Sequence, residues 1–326
     1  MILLVGGAGY IGSHTFKMLH KSHDVVIYDN LSTGHIDFVG NAIFEKGDIR
    51  NSLGLDRIFK KYPISTVIHF AAKAYVGESV IMPAIYYDNN VSGTLSLLNC
   101  MKENSVKNII FSSSCATYGI PCKIPITEDT PQNPINPYGM TKYMVEKILA
   151  DYKNAYDFNF VALRYFNVAG ATEDCDIGEW HEPETHAIPL LLDSISKGYS
   201  FKVYGNDYPT NDGTCIRDYI HVDDLAEAHV RAIDYLSQKN YLNYINLGTG
   251  VGASVLELIE SARRITDKKV IAEGIDRREG DPPVLIASYE RAKSELGWIP
   301  KRSSIDNIIK SAWNWHRKLM VLNEQK

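Results

Sequence analysis

MILLVGGAGYIGSH, residues 1–14, opens the chain. An apolar run, Ile2–Val5, leads directly into Gly6, Gly9 and Gly12 at three-residue spacing. The pattern predicts a buried strand, a tight turn and the start of a helix. Glycine accepts backbone angles that other residues resist, and it lets the chain approach a pyrophosphate where a Cβ would clash. A helix start adds unpaired N–H groups and the positive end of the helix dipole. An ordinary glycine-rich turn would carry the same three residues, so the motif needs context. Seventeen residues after Gly12 a second apolar run, Val25–Tyr28, ends in Asp29. A carboxylate there accepts hydrogen bonds from a ribose diol and repels a 2′-phosphate, which points to NAD rather than NADP.

Composition narrows the class. The 326 residues can bury a large core and are expected to form two lobes. A formal net charge of −5 with no basic stripe argues against a general nucleic-acid binder. Cys100, Cys115, Cys122, Cys175 and Cys215 form no CxxC pair and read as reduced cytosolic thiols. The apolar N-terminus lacks a basic flank, so it reads as a strand rather than a signal peptide. No apolar run approaches the ~20 residues that span a bilayer. A soluble cytoplasmic protein is expected.

From the first glycines onward, short apolar runs alternate with amphipathic stretches. Strands are predicted at Ile2–Val5, Val25–Tyr28, Ala42–Glu45, Thr66–Phe70, Asn108–Phe111 and Phe160–Tyr165. Ser92–Glu103 reads as a helix, with Leu95, Leu98 and Met101 near one face. Alternating βα units imply a Rossmann-type, doubly wound parallel sheet whose ligands lie beyond the strands' carboxyl ends. The alternation loosens over Thr172–Thr185, so we place an NAD-binding domain at 1–170 and a smaller C-terminal α/β substrate lobe at 171–326. Short strands (Phe201–Tyr204, Tyr244–Leu247) and helices (Val222–Leu236, Ser254–Ile265) are predicted in that second part, with some segments expected to return to the first domain.

Two features can carry chemistry. Ser112, Ser113 and Ser114 follow the fifth predicted strand, where a hydroxyl can meet a substrate hydroxyl; serines that merely begin a loop look the same. Asn136-Pro137-Tyr138 is a strong helix start, with Asn at the cap and Pro at the first helical position. Tyr138 and Lys142 then share one face of the first turn. A phenol with a pKa near 10 is a poor base at neutral pH. An ammonium, a helix N-terminus and a positive nicotinamide would all favour phenolate. Lowering the pKa by ~3 units takes about 4 kcal/mol of preferential stabilisation. Tyr143/Lys147, Tyr235/Lys239 and Tyr289/Lys293 repeat the spacing, but only Tyr138/Lys142 has the capped start and an upstream serine cluster.

Together these segments resemble the extended short-chain dehydrogenase/reductases. Within that group the resemblance is to the UDP-glucose (UDP-galactose) 4-epimerases. It rests on GGAGYIGSH, DNLSTG (29–34), KGDIR (46–50), VIHFAA (67–72), VGES (76–79), YYDNNVSGT (86–94), FSSS (111–114) and the Tyr138/Lys142 pair. It continues through RYFNVAG (164–170), YGNDYPTNDGTCIRDYIHVDDLA (204–226), INLGTG (245–250) and RREGDPP (277–283). The resemblance implies that Tyr138 takes the proton from a sugar 4-hydroxyl, Ser114 binds or relays it, and Lys142 tunes Tyr138 while holding the nicotinamide ribose. Hydride would pass from C4 to tightly bound NAD, and the keto sugar would turn and take hydride back on its other face. By the same resemblance Gly6, Gly9, Tyr10, Ile11, Gly12, Asp29, Asn30, Ser32, Thr33, Gly34, Asp48, Ile49, Phe70, Ala71, Ala72, Lys73, Asn89 and Phe166 match cofactor positions. Asn167, His186, Arg217, Arg278 and Asp281 match the nucleotide-sugar side, with Lys202, Val203 and Tyr204 along the uridine of a UDP-sugar. A homodimer through two helices of the first domain is implied as well.

Seen as residues alone, Arg217 beside Asp218 also fits a surface ion pair, Arg278 a solvated charged run (276–279), and His186 a surface histidine. Three positions depart from the family pattern. Val5 replaces a usual threonine, and Lys73 falls one position early. Leu285 stands where a larger tyrosine marks relatives restricted to simple hexoses, so activity on N-acetylhexosamines is expected beside UDP-galactose and UDP-glucose. Dehydratases and decarboxylases of this fold need an acid beside the catalytic hydroxyl; Ser114 is followed by Cys115-Ala116-Thr117. A UDP-pentose substrate stays open at this point. A non-catalytic binding protein would be marked by loss of Tyr138 or Lys142, and both are present.

Overall fold

The computed structural model describes residues 1–238, 241–278 and 280–324; Lys239 and Glu279, named above, lie outside the described residues. The first half is built as β1 (Ile2–Val5), α1 (Tyr10–Leu19), β2 (Val25–Asp29), β3 (Ile43–Lys46), α2 (Ser52–Lys61) and β4 (Thr66–His69). Next come α3 (Val76–Ile81), α4 (Pro83–Tyr86), α5 (Gly93–Glu103), β5 (Asn108–Ser114), α6 (Pro137–Tyr156) and β6 (Asn159–Tyr165). All of β1, β2 and β4 is buried, which is why these strands read as unbroken apolar or β-branched runs.

The remainder is β7 (Asn167–Ala169), α7 (Ala187–Lys197), β8 (Phe201–Tyr204), β9 (Ile216–His221), α8 (Val222–Tyr235) and β10 (Tyr244–Leu247). It finishes with β11 (Gly252–Ser254), α9 (Val255–Thr266), β12 (Ala272–Ile275), β13 (Val284–Leu285), α10 (Glu290–Leu296) and α11 (Ile305–Glu324).

Seven parallel strands form the main sheet in the order β10-β6-β5-β4-β1-β2-β3. The chain leaves β1 toward β2 and β3, then crosses back to β4 on the other side, so the crevice between β1 and β4 is the topological switch point. A second sheet has the order β11-β9-β13 with β7 also on β9, and β12 pairs with β8. Buried residues of α7, α9 and α11 gather there into their own apolar cluster with Phe201, Val203 and Tyr219.

Three local readings change. Ser112–Ser114 are strand residues rather than a loop: β5 runs three residues further, opposite Leu163, Arg164 and Tyr165 of β6. The helix expected from Ser92 starts earlier, because α4 passes through a π-helical turn (Tyr87–Ser92) into α5. Tyr244–Leu247 is the seventh strand of the main sheet, and α8 packs against α1, so both complete the first sheet's layers from beyond residue 170. The five cysteines are free thiols. Among the described residues no helix is long and apolar enough to cross a membrane.

Candidate active site

The glycine turn after β1 is built around two close approaches. Gly6 has φ +81°, and a Cβ there would lie 2.5 Å from the Ala71 backbone nitrogen. A Cβ at Gly12 would lie 2.4 Å from the Gly6 carbonyl oxygen. Gly9 is different: it precedes the first turn of α1, and nothing comes within 3.5 Å of where its Cβ would be. The open side of the cradle is therefore beside Gly9 and the helix N-terminus, which suits a pyrophosphate. Asp29 is fixed at the end of β2, its carboxylate accepting from the N–H groups of Ala8 (3.0 Å) and Leu31 (2.8 Å). Burial pushes its pKa up, and those two bonds pull the other way.

The neighbouring cofactor positions hold one another. Asn30 donates to Asp48 at 3.0 Å, and Arg50, hydrogen-bonded to Asp48, keeps that carboxyl well below the usual range. Ser32 and Thr33 are exposed, Gly34 lies against Ala8, and Ile49 is buried. Phe70 and Ala71 both donate backbone N–H groups to Val5, and the backbone of Ala72 and Lys73 continues past them. The Tyr10 hydroxyl donates to the Gly170 carbonyl at 2.6 Å, Ile11 packs on the main core, and Phe166 is buried within it. Asn89 donates to Asn90 in the π-helical turn. The sequence reading did not single out Asn90, yet it bonds both the N–H and the C=O of Lys73 and also Thr141 of α6. Glycine cradle, oriented Asp29 and helix terminus together fit a dinucleotide.

The catalytic set meets at the carboxyl end of β5. Asn136 caps α6 by accepting from the Gly139 N–H at 2.8 Å, and Pro137 takes the first helical position. Tyr138 and Lys142 thus face the strand, with the Lys142 ammonium 5.0 Å from the Phe111 ring centre and 5.8 Å from that of Tyr138. Lys142 is buried and donates to the Ser112 carbonyl at 2.7 Å. Ser114 accepts from the Ala116 N–H, and its hydroxyl acts to lower the pKa of the Tyr138 phenol. The side chains alone nevertheless do not give a low phenol pKa. Burial pushes Tyr138 up to about 12 and Lys142 down to about 7. The expected phenolate therefore needs the positive charges of a protonated Lys142 and an oxidised nicotinamide. The rival Tyr143/Lys147 pair lies on an outer part of α6, with Lys147 over the Tyr143 ring and exposed. Tyr289 stands at the N-cap position of α10 without a side-chain capping bond and packs against the main core.

Behind this set lies a polar network that the sequence reading missed. Glu146, one turn beyond Lys142, accepts from Arg164 at 2.9 and 2.6 Å and from Ser113 at 2.5 Å, with both charged groups almost wholly buried. Its spacing of four from Lys142 and eight from Tyr138 was the available signal; the partner on β6 was not visible.

On the other side of the cleft, Arg217 of β9 pairs with Asp281 at 2.6 Å, not with Asp218. Adjacent strand residues point to opposite faces, and Asp218 instead accepts from Thr249, Gly250 and Ala287. Arg217 acts electrostatically on Cys115, next to Ser114, which brings the two halves of the site together. Leu285 of β13 stands opposite Arg217 in the register. The Arg278 guanidinium stacks 4.0 Å over the Tyr204 ring rather than standing free. Along β8 Lys202 is exposed, Val203 buried and Tyr204 half-buried. Asn167 is exposed at the start of β7, and His186 stands at the N-cap position of α7, its ring held by Glu184 (2.7 Å) and Glu179 (2.9 Å) rather than capping the helix.

Residues 2–248 match the model of the NAD dependent epimerase/dehydratase family, and the chain belongs to that family. Its similarity to individual proteins is narrower. A UDP-glucose 4-epimerase of Rhizobium leguminosarum bv. trifolii is 49% identical over 319 residues, 97% of each chain. The structure of a Brucella ovis UDP-glucose 4-epimerase in complex with NAD superposes with a TM-score of 0.94 at 50% identity, covering 97% of this chain and 98% of that one. A Bifidobacterium longum UDP-glucose 4-epimerase in complex with NAD+ and UDP gives 0.92 at 40% identity, with 97% and 98% covered.

Proposed function

We propose that this chain is an NAD-dependent UDP-glucose 4-epimerase, interconverting UDP-galactose and UDP-glucose in galactose metabolism. The observation that carries this reading is the placement of Tyr138 and Lys142 on the capped first turn of α6 beside Ser114, with no acidic residue following that serine. NAD, when bound, supplies the acceptor and donor of hydride for C4 of the sugar. Tyr138 accepts the 4-hydroxyl proton and returns it. Ser114 orients that hydroxyl, and Lys142 supplies the charge that makes a phenolate accessible. Gly6, Gly9, Gly12, Asp29 and the residues packed around them hold the dinucleotide.

Arg217 and Arg278 grip the diphosphate as guanidinium forks, with Asn167, His186 and Asp281 beside them and Lys202, Val203 and Tyr204 along the uridine. In our reading the NAD-binding domain is 1–170 with later segments added, and the UDP-sugar lobe lies within 171–326. The protein works as a cytoplasmic homodimer joined through two helices of the first domain. Leu285, smaller than tyrosine, leaves room for an N-acetyl group at the sugar.

The test is to incubate purified protein, without added cofactor, separately with UDP-galactose and UDP-N-acetylgalactosamine and to follow the C4 epimers by NMR. Conversion of UDP-galactose is expected. No conversion of either sugar, even with NAD added, overturns the reading and turns attention to UDP-pentoses and then to a binding protein.

A further inference from the structure

The segment before α7 carries a cluster of four ligand-bearing side chains, of which the proposed substrate site uses only His186. Glu179, His181, Glu184 and His186 each offer one ligand atom, and these four atoms lie within 4.8 Å of one another. The His186 Nδ1 is 2.9 Å from Glu179 Oε1 and 2.7 Å from Glu184 Oε1. The His181 Nδ1 is 3.4 Å from Glu179 Oε1 and 3.5 Å from Glu184 Oε2. Of these, the 2.7 Å contact between His186 and Glu184 is a hydrogen bond, and the 2.9 Å contact is an ion-pair distance. The last two are too long for good N–H···O bonds, and the His181 Nδ1 is buried with no hydrogen-bond partner. Four donors around zinc at about 2.0–2.1 Å sit roughly 3.3 Å apart along each edge of the tetrahedron. The separations given for this cluster bracket that value. Closing onto an ion asks the widest edge to contract and the two short His186–carboxylate edges to open by about half an ångström.

We propose that Glu179, His181, Glu184 and His186 form a four-coordinate site for a divalent cation of the zinc class. Chemistry favours that class: two imidazoles with two carboxylates suit zinc and its neighbours, whereas calcium and magnesium prefer all-oxygen shells. Charge balance favours it too, because two carboxylates and a divalent ion with neutral imidazoles sum to zero around the buried Glu179. Without an ion the same balance falls to protons on the imidazoles. The carboxylates push His181 up to about 9 and His186 up to about 10, in spite of burial. An ion entering the site therefore displaces the Nδ1 proton of each histidine to solvent. The Tyr75 ring, 6.0 Å from His181 and 6.2 Å from His186, and the Tyr10 ring, 6.3 Å from His181, wall the cluster on the glycine-cradle side. The ion would tie a loop of no regular structure to the start of α7, where His186 takes the N-cap position.

The experiment titrates Co2+, and Zn2+ in competition, into the tag-free enzyme with its own bound cofactor. Wild-type protein is expected to bind one ion per chain and to show the intense visible bands of four-coordinate Co2+. Imidazole nitrogens bind a metal only when deprotonated, so apparent affinity should fall as the pH is lowered. His181→Ala and the near-isosteric Glu184→Gln should each abolish the bands, while the circular dichroism spectrum is retained. No binding by the wild type, or undiminished four-coordinate binding in both variants, overturns the proposal. Binding with no dependence on pH would do so as well.

Discussion

Lys142→Met removes one charge and keeps a chain of similar length, so it isolates what that charge does for Tyr138. The ammonium stands 5.8 Å from the Tyr138 ring centre. At that separation and an effective dielectric of ~20, ammonium and phenolate attract by about 3 kcal/mol. That is roughly 2 pKa units on the phenol. The coupling is mutual, so a phenolate strengthens the hold of Lys142 on its own proton by the same amount. This matters because burial is the largest influence on both groups, leaving Lys142 at about 7 and Tyr138 at about 12. In the variant, epimerisation of UDP-galactose near neutral pH should fall about a hundredfold, and the rising limb of the pH–rate profile should move up by about 2 units. Alkaline buffer should then restore part of the rate. Turnover is measured by NMR across the pH range, normalised to NAD released from the same sample, so that loss of cofactor is not read as loss of chemistry. An equal loss at every pH, with the limb in its original place, refutes the electrostatic role of Lys142.

Gly12→Ala places a Cβ 2.4 Å from a backbone oxygen. Relief requires the cradle to open, and NAD carried through purification should drop about tenfold, since only ~1.4 kcal/mol of misfit is needed for that. Full NAD retention would refute the close-approach argument. Glu146→Met leaves the Arg164 charge buried without its carboxylate and should cost about 3–5 kcal/mol, whereas Glu146→Met with Arg164→Met should cost less than either single change. Calorimetric midpoints of the three variants test this, and additive losses would contradict it. Leu285→Tyr should lower the rate on UDP-N-acetylgalactosamine about tenfold relative to UDP-galactose, the scale of a single misfit in a pocket. An unchanged ratio would remove Leu285 from the sugar site.

Local signals were legible and distant ones were not. Gly6, Gly9 and Gly12, the acid ending β2 and the Asn136-Pro137 start of α6 could be read because each depends on backbone chemistry within a few residues. Tyr244–Leu247 shows the same apolar run whichever sheet it joins, and only its pairing with β6 reveals the answer. Arg217 sat beside an aspartate in sequence, yet strand alternation sends that neighbour to the other face and brings Asp281 from 64 residues away. The setting of the phenol was legible only in part, for a related reason. Counting nearby positive charges omits burial, which here is the largest influence on both Tyr138 and Lys142. The Glu146–Arg164 pair spans a helix and a strand, so periodicity could mark one partner at most.

The opposed directions of Arg217 and Asp218 bear on how the enzyme takes hold of its substrate. Asp218 is bolted to the turn that follows β10 through Thr249 and Gly250, and to the chain after β13 through Ala287. The strand that presents Arg217 to the cleft is thereby anchored to the end of the main sheet. A jaw-like swing of the second sheet about β9 would tear these bonds from a buried carboxylate. If Arg217 holds the diphosphate as proposed, capture and release of the nucleotide sugar would proceed by exchange of partners at its guanidinium, with Asp281 giving way to phosphate while the strands stay in place.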